Sequence, residues 1–232
     1  MTGKPEFVDV LVIGAGLAGI GSACQLRRNM PQLSLAILEA RPASGGTWDL
    51  FRYPGIRSDS DMYTYSYGFK PWTAKSAIAD GDTILKYIRE TAEEYGLNRY
   101  IRYNHKVVSA HWSSQDTLWT VMVARSSGAR TDSEEQLTIQ CRFILSCTGY
   151  FDYEQGYTPE FAGIDDFEGE VVHPQFWPEQ LDYKDKRVVI IGSGATAITL
   201  VPSMADDTAS LVMLQRSPTY IANVPAEDPW LK

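Results

Sequence analysis

The sequence predicts an α/β protein made of two Rossmann-like units, each doubly wound and three-layered, the second incomplete and the first carrying a small β-layer. Two observations carry this reading: a strand, glycine turn and helix pattern near the amino terminus, and its recurrence from residue 187. A third is the set of β-branched runs separated by polar turns between residues 105 and 149. The expected organisation is a first domain over residues 1–150, a linker over 151–186 and the start of a second domain over 187–232.

The first unit opens with an apolar run over residues 8–13 that breaks at Gly14, Ala15, Gly16, Leu17, Ala18 and Gly19. A helical pattern follows, with Ile20, Ala23 and Cys24 on one face and Arg27 and Arg28 near its end, until Pro31 stops it. The three glycines do different things. Gly14 permits a tight turn, Gly16 lets the backbone approach a pyrophosphate, and Gly19 lets helix pack closely on strand. The helix start offers unpaired N–H groups and a partial positive charge, so an anionic ligand is expected there. A second β-run over residues 33–38 ends in Glu39, where a carboxylate can accept both hydroxyls of an adenosine ribose.

After this unit, residues 44–67 join Gly45 and Gly46 to Trp48, Phe51, Tyr53, a Pro54-Gly55 turn and further tyrosines. That much aromatic area folds over something rather than standing in water. It forms either a satellite core under a long loop or a wall for a flat ring, with Gly45 and Gly46 admitting a pyrophosphate and Asp59 facing a reaction side. Tyr65 and Tyr67 are expected in the core. Residues 82–96 read as a packing helix capped by Asp82, with Ile84, Tyr87, Ile88 and Ala92 at helical spacing and Gly96 at its end. Residues 106–112, 118–124 and 137–149 read as strands, with a polar hairpin-like excursion over 125–136 and with His105 and His111 in surface or structural positions.

The second unit runs from a strand over residues 187–191 into Gly192, Ser193, Gly194, Ala195, Thr196 and Ala197, then a short helix that Pro202 interrupts. Alanine at the third glycine position is an accepted variant. The next strand, over 211–214, ends in Gln215, Arg216 and Ser217 instead of an acid. A carboxylate would repel a 2′-phosphate, whereas a guanidinium grips it with paired hydrogen bonds. Two fingerprints, one closed by Glu39 and one by Arg216, therefore point to FAD in the first unit and NADPH in the second.

Composition narrows the alternatives. A net charge of −8 without Lys/Arg clusters excludes nucleic acid and anionic membrane as partners. No window holds the ~20 apolar residues of a membrane span, and no basic start precedes an apolar run, so a cytoplasmic location is expected. Cys24, Cys141 and Cys147 show no C-x-x-C spacing; they are expected to be reduced and mostly buried, with no metal site.

Between the two fingerprints, Phe167, Gly169, His173, Trp177 and Pro178 match F-x-G-x-x-x-H-x-x-x-W-[PD] at every fixed position. With that pattern the chain resembles the flavin-dependent class B monooxygenases, and within them the Type I Baeyer-Villiger monooxygenases. The N- and S-oxidising relatives usually close the pattern in Tyr or Phe, so Trp177 favours the Baeyer-Villiger side. The runs GGTWDLFRYPGIRSDSDMYT, IGSGATAITLVP and QRSPTYI look closest to the ethionamide-activating subgroup, and the resemblance covers the chain as an amino-terminal portion.

The resemblance implies that NADPH reduces FAD, that reduced flavin combines with O₂, and that the peroxyflavin converts a small-molecule ketone to an ester or lactone. The same intermediate, protonated, oxidises a sulfide or thioamide. It implies FAD contacts from Gly14, Gly16, Gly19, Glu39, Gly46, Thr47, Trp48, Asp59 and the backbone at Val107. Arg57, Ser58, Asp59, the Gly192 to Ala197 turn, Arg216 and Ser217 are implied for NADPH. Asp59 would pair with an arginine that family members carry beyond the second fingerprint, outside this chain. Family members are longer and complete their FAD domain with a carboxyl-terminal segment, so two other readings stay open: a catalytically inactive nucleotide-binding fragment, and an N-/S-oxidising flavin monooxygenase. A flavoprotein disulfide reductase is excluded, because residues 42–60 hold no cysteine. Within the linker, His173 is expected to hydrogen-bond in a hinge and couple NADPH binding to domain movement.

Overall fold

The computed structural model describes residues 5–126, 135–222 and 225; most of the polar excursion expected over 125–136 lies outside the described residues. In chain order the elements are β1 (Glu6–Ile13), α1 (Leu17–Asn29), β2 (Leu35–Leu38), α2 (Thr47–Leu50), α3 (Met62–Tyr65), α4 (Gly81–Glu94), β3 (Ile101–Arg102), β4 (His105–Ser113), β5 (Leu118–Arg125), β6 (Glu135–Ser146), β7 (Arg187–Ile191), α5 (Ala195–Met204) and β8 (Ser210–Leu214). Single 3₁₀ turns lie at Asn98–Tyr100, Ile164–Asp166 and Pro174–Phe176. The chain forms two compact units, Met1–Asp49 with Leu85–Phe151, and Leu50–Ile84 with Asp152–Lys232. Among the described residues no helix is long and apolar enough to cross a membrane.

The first unit is built on one six-stranded sheet in the order β3-β2-β1-β6-β5-β4. Its centre is parallel: β1 pairs with β2 on one side and with β6 on the other. Leu11, Val12, Ile37 and Leu38 are fully or almost fully buried, as strands covered on both faces require. α1 lays Gly19, Ile20, Ala23 and Cys24 inward and carries Arg27 and Arg28 in its last turn, where cations suit the helix dipole. The expected β-layer is continuous with this sheet. Strand β6 is long enough to pair antiparallel with β5 over Glu135–Cys141 and parallel with β1 over Ile139–Ser146, so one strand serves both arrangements. Val8, Leu11, Leu38, Val121, Val123, Ile139 and Cys141 make the resulting core.

α4 differs from expectation at its start. The Asp80 carboxylate, rather than that of Asp82, accepts the Thr83 N–H at 2.7 Å, because the first turn begins one residue earlier, at Gly81. Its end is as expected: Gly96 has φ +60°, and Leu97 N–H returns to the Ala92 carbonyl at 2.7 Å, closing a Schellman turn.

In the second unit β7 and β8 pair in parallel, and α5 covers one face of the pair. Val188, Ile190 and Leu211 turn toward a cluster formed by Tyr53, Leu200 and Met204, while Val189, Ile191, Val212 and Leu214 on the alternate positions are more than half exposed. α5 runs through Pro202 to Met204, further than expected. A proline so near the end removes one N–H donor, and the Ser203 hydroxyl, donating to the Thr199 carbonyl at 2.8 Å, supplies a bond in the same turn. The aromatic loop also differs: Tyr65 and Tyr67 are half-buried, Tyr67 stacking on Phe69, and the tyrosine that enters the core is Tyr53.

Candidate functional site

The first glycine turn is held from three sides. Gly14 has φ +104°, and a side chain there would collide with the Cys147 carbonyl; Gly14 N–H donates to the Leu38 carbonyl at 2.7 Å. A Cβ on Gly19 would collide with the Gly14 carbonyl, so helix and turn are in direct contact. Gly16 is different: its φ of −82° suits any residue, and a Cβ there would come no closer than 3.5 Å to protein, at Gly46 Cα. Nothing among the described residues demands glycine at that position.

Glu39 is buried at the end of β2, and each carboxylate oxygen accepts one backbone N–H: Ala15 at 2.8 Å and Arg41 at 3.0 Å. Each oxygen keeps a second lone pair for a ligand hydroxyl. His105 N–H reaches the Glu39 carbonyl, which brings the start of β4 beside it. Two residues on, the ladder slips between Val107 and Ser109, leaving a bulge next to Val107.

The Gly45-Gly46 turn sits against this arrangement, with Gly45 N–H donating to the Ala15 carbonyl at 3.0 Å. An ion-pair cluster that the sequence did not reveal fixes it. Asp49, only 6% exposed, lies between Arg41 at 2.6 Å and Arg89 at 2.6 Å. Arg41 also donates to the Gly46 carbonyl at 3.2 Å, and Arg89 to the Ser44 carbonyl at 2.9 Å. Thr47 and Trp48 follow on α2, both half-buried. The signal for this cluster was an acid inside an otherwise aromatic run, but its cationic partners come from 8 and 40 residues away.

The second turn, within its own unit, repeats the logic. Gly192 has φ +136° and its N–H donates to the Leu214 carbonyl at 2.8 Å. Gly194, at φ −78°, has nothing among the described residues within 4 Å of where a Cβ would stand. Ser193 Oγ donates to the Ser217 carbonyl at 3.3 Å, tying the turn to the exit of β8; Arg216 is exposed beside it. Ala195 and Thr196 open α5, and Ala197 is buried.

Arg57, Ser58 and Asp59 also belong to this second unit. Ser58 is buried and accepts the Ala79 N–H at 3.2 Å, while Arg57 and Asp59 are exposed. The Tyr53 hydroxyl is hydrogen-bonded to the Thr196 side chain, and Gly55 with φ +76° packs so tightly on Ser203 that a side chain would collide. Burial pushes the Tyr53 phenol up, the Thr196 bond opposes that shift, and the Asp59 charge adds to it.

Within the linker, His173 caps the turn at Pro174–Phe176: its Nδ1 accepts the Gln175 N–H at 3.2 Å. Buried Gln175 donates to the Asp152 carbonyl. A side chain on Gly156 would strike the imidazole, and one on Gly169 the Phe167 ring. Trp177 packs edge-on against Tyr183 in the Tyr53 cluster. None of the three cysteines forms a disulfide; burial pushes the Cys141 thiol up to about 11 and raises that of Cys147.

The flavin-binding monooxygenase-like family matches residues 58–229, and an NAD(P)-binding Rossmann-like domain matches residues 12–76. The FAD-containing monooxygenase EthA of Mycobacterium tuberculosis is 53% identical over 224 residues, which are 96% of this chain and 44% of that protein. The chain thus spans less than half the length of this curated relative. Among solved structures, OTEMO in complex with FAD and NADP is 33% identical with a TM-score of 0.75, covering 93% of this chain and 40% of that one. Cyclohexanone-bound cyclohexanone monooxygenase is 27% identical with a TM-score of 0.81, covering 98% of this chain and 42% of that one.

Proposed function

This chain belongs to the flavin-binding monooxygenase-like family, and from that premise we propose that it provides the FAD and NADPH turns of an O₂-dependent Baeyer-Villiger monooxygenase. The observation that carries the nucleotide reading is the pair Gly16 and Gly194. Neither needs a positive φ and neither is crowded by the described residues, which leaves each open to the close approach of a ligand. A phosphate drawn onto a helix start is the ligand that suits such an approach.

In this reading Glu39, held by Ala15 and Arg41, receives the adenosine ribose of FAD. Gly14, Gly16, Gly19 and Gly46 line its diphosphate, and Thr47, Trp48 and the bulged backbone at Val107 flank the rest. The Gly192, Ser193, Gly194, Ala195, Thr196 and Ala197 turn takes the diphosphate of NADPH, with Arg216 and Ser217 at the 2′-phosphate. Arg57, Ser58 and Asp59 are assigned to the reacting end, where the Asp59 carboxylate supplies negative charge. Bound flavin supplies hydride acceptance and oxygen activation; the protein orients it and keeps water out. Ketone oxidation is favoured over N-oxidation by Trp177, and the resemblance to the ethionamide-activating subgroup keeps sulfides and thioamides as further substrates.

His173 is proposed as a structural hinge residue. Its Nδ1 is committed to the Gln175 backbone N–H, which fixes the ring within the turn.

The test is purification of the chain with FAD, followed by NADPH oxidation with a cyclic ketone, a sulfide and neither. Flavin binding is the expected result, and lactone formation from the cyclic ketone would show that this chain also turns over on its own. Absence of any flavin binding would sink the reading; flavin binding without turnover would support a nucleotide-binding role for this chain alone.

A further inference from the structure

We propose that Asp49 is a positioning residue for the diphosphate of the first nucleotide, holding the Gly45-Gly46 turn against the first glycine turn through Arg41 and Arg89. The inference rests on the reading of that turn as a dinucleotide site. Its basis is geometric. One buried carboxylate takes a guanidinium on each oxygen, Arg41 on Oδ2 and Arg89 on Oδ1, both at 2.6 Å. Each guanidinium then reaches past the carboxylate to a loop carbonyl, Gly46 at 3.2 Å and Ser44 at 2.9 Å. The two arginines come from different directions, one just beyond Glu39 and one from the middle of α4, so the turn is braced against both the sheet and the helix. Gly45 N–H closes the brace on Ala15, whose own N–H is held by Glu39.

This connectivity links Glu39 to the Gly45-Gly46 turn: the Glu39 carboxylate accepts the Arg41 backbone N–H, the Arg41 guanidinium reaches Gly46 and Asp49, and Asp49 holds Arg89, which reaches Ser44. Arginine suits these two positions because its rigid fork can hold a carboxylate and a carbonyl together, which a lysine ammonium does poorly. A solely electrostatic role for the cluster predicts the opposite of a positioning role. Deleting the Asp49 charge leaves two guanidiniums uncompensated near the turn, which on charge alone would tighten an anion. Positioning predicts that the same change weakens it, because the arginines leave the carbonyls and the turn loosens.

The sign therefore decides. The chain and its Asp49→Asn, Arg41→Lys and Arg89→Lys variants are titrated calorimetrically with ADP and with adenosine; the two lysine variants keep every formal charge and serve if Asp49→Asn does not fold. Expected is a loss of about tenfold or more in ADP affinity, the scale of a lost charge-assisted bond, with adenosine changed by less than about twofold. Faster amide hydrogen exchange confined to residues 44–49 in the free variants should accompany it. Unchanged or tighter ADP binding, or equal losses for ADP and adenosine, would overturn the proposal alone. A wild-type chain that binds neither ligand would overturn the nucleotide reading itself, and this proposal with it.

Discussion

The Glu39 carboxylate accepts the Ala15 N–H at 2.8 Å across 24 residues of sequence, tying the end of β2 to the middle of the first glycine turn. A glutamine cannot reproduce this, since only one of its side-chain termini accepts while both Ala15 and Arg41 donate. In Glu39→Gln one buried donor loses its partner, at a cost of about 1–3 kcal/mol. Urea unfolding should show that loss, and flavin fluorescence should show FAD affinity reduced by about tenfold or more.

The glycines of the two turns separate folding from binding. Gly14→Ala faces a φ of +104° and the Cys147 carbonyl, so the chain should unfold or melt far below wild type. Gly16→Ala and Gly194→Ala meet no such obstacle and should keep a wild-type melting curve. Their deficit should be in nucleotide binding: FAD for the first, NADPH for the second. If Gly16→Ala proved as unstable as Gly14→Ala with no change in FAD affinity, the phosphate-cradle reading would be lost.

The strand, turn and helix units were readable because their information is local: glycine spacing, hydrophobic period and the charge at a strand end all lie within a few dozen residues. Where the reading departed from the fold, long-range pairing or a choice between equivalent residues was decisive. Asp80 and Asp82 are both acceptable caps, and only the position of the first turn selects Asp80. The β-layer merges with the main sheet because β6 has two partners, neither legible from its own sequence. Tyr53 rather than Tyr65 or Tyr67 is buried because α5, far along the chain, provides Leu200 and Met204. The Asp49 cluster was hidden for the same reason, since Arg89 is 40 residues away.

In the proposed reading Arg216 carries the distinction between NADPH and NADH. It is exposed at the exit of β8, next to Ser217, whose carbonyl accepts the Ser193 hydroxyl of the second turn. Arg216→Gln should weaken NADPH by about tenfold or more, the value of a charge-assisted contact to the 2′-phosphate, and leave NADH nearly unchanged. Titrating both nucleotides against wild type and variant checks this, and equal effects on both would remove Arg216 from phosphate recognition.

Tyr53 should give the fold an alkaline limit. Burial raises its phenol above the ordinary 10.0, with the Asp59 charge adding to the shift and the Thr196 bond opposing it. The folded state therefore holds this proton more tightly than the unfolded chain. The associated stability is fully present below the unfolded value near 10 and is lost as pH rises through the higher folded value. Phenylalanine fills the same space in the cluster with Leu200 and Met204 but does not titrate. At neutral pH Tyr53→Phe should cost about 0.5–1.5 kcal/mol for the lost Thr196 bond. Between about pH 8 and about pH 11 the wild type should lose more stability than the variant, because the other alkaline titrations are common to both. Urea unfolding at the two pH values measures this difference directly. Parallel losses would mean that Tyr53 ionises as freely in the folded chain as in the unfolded one.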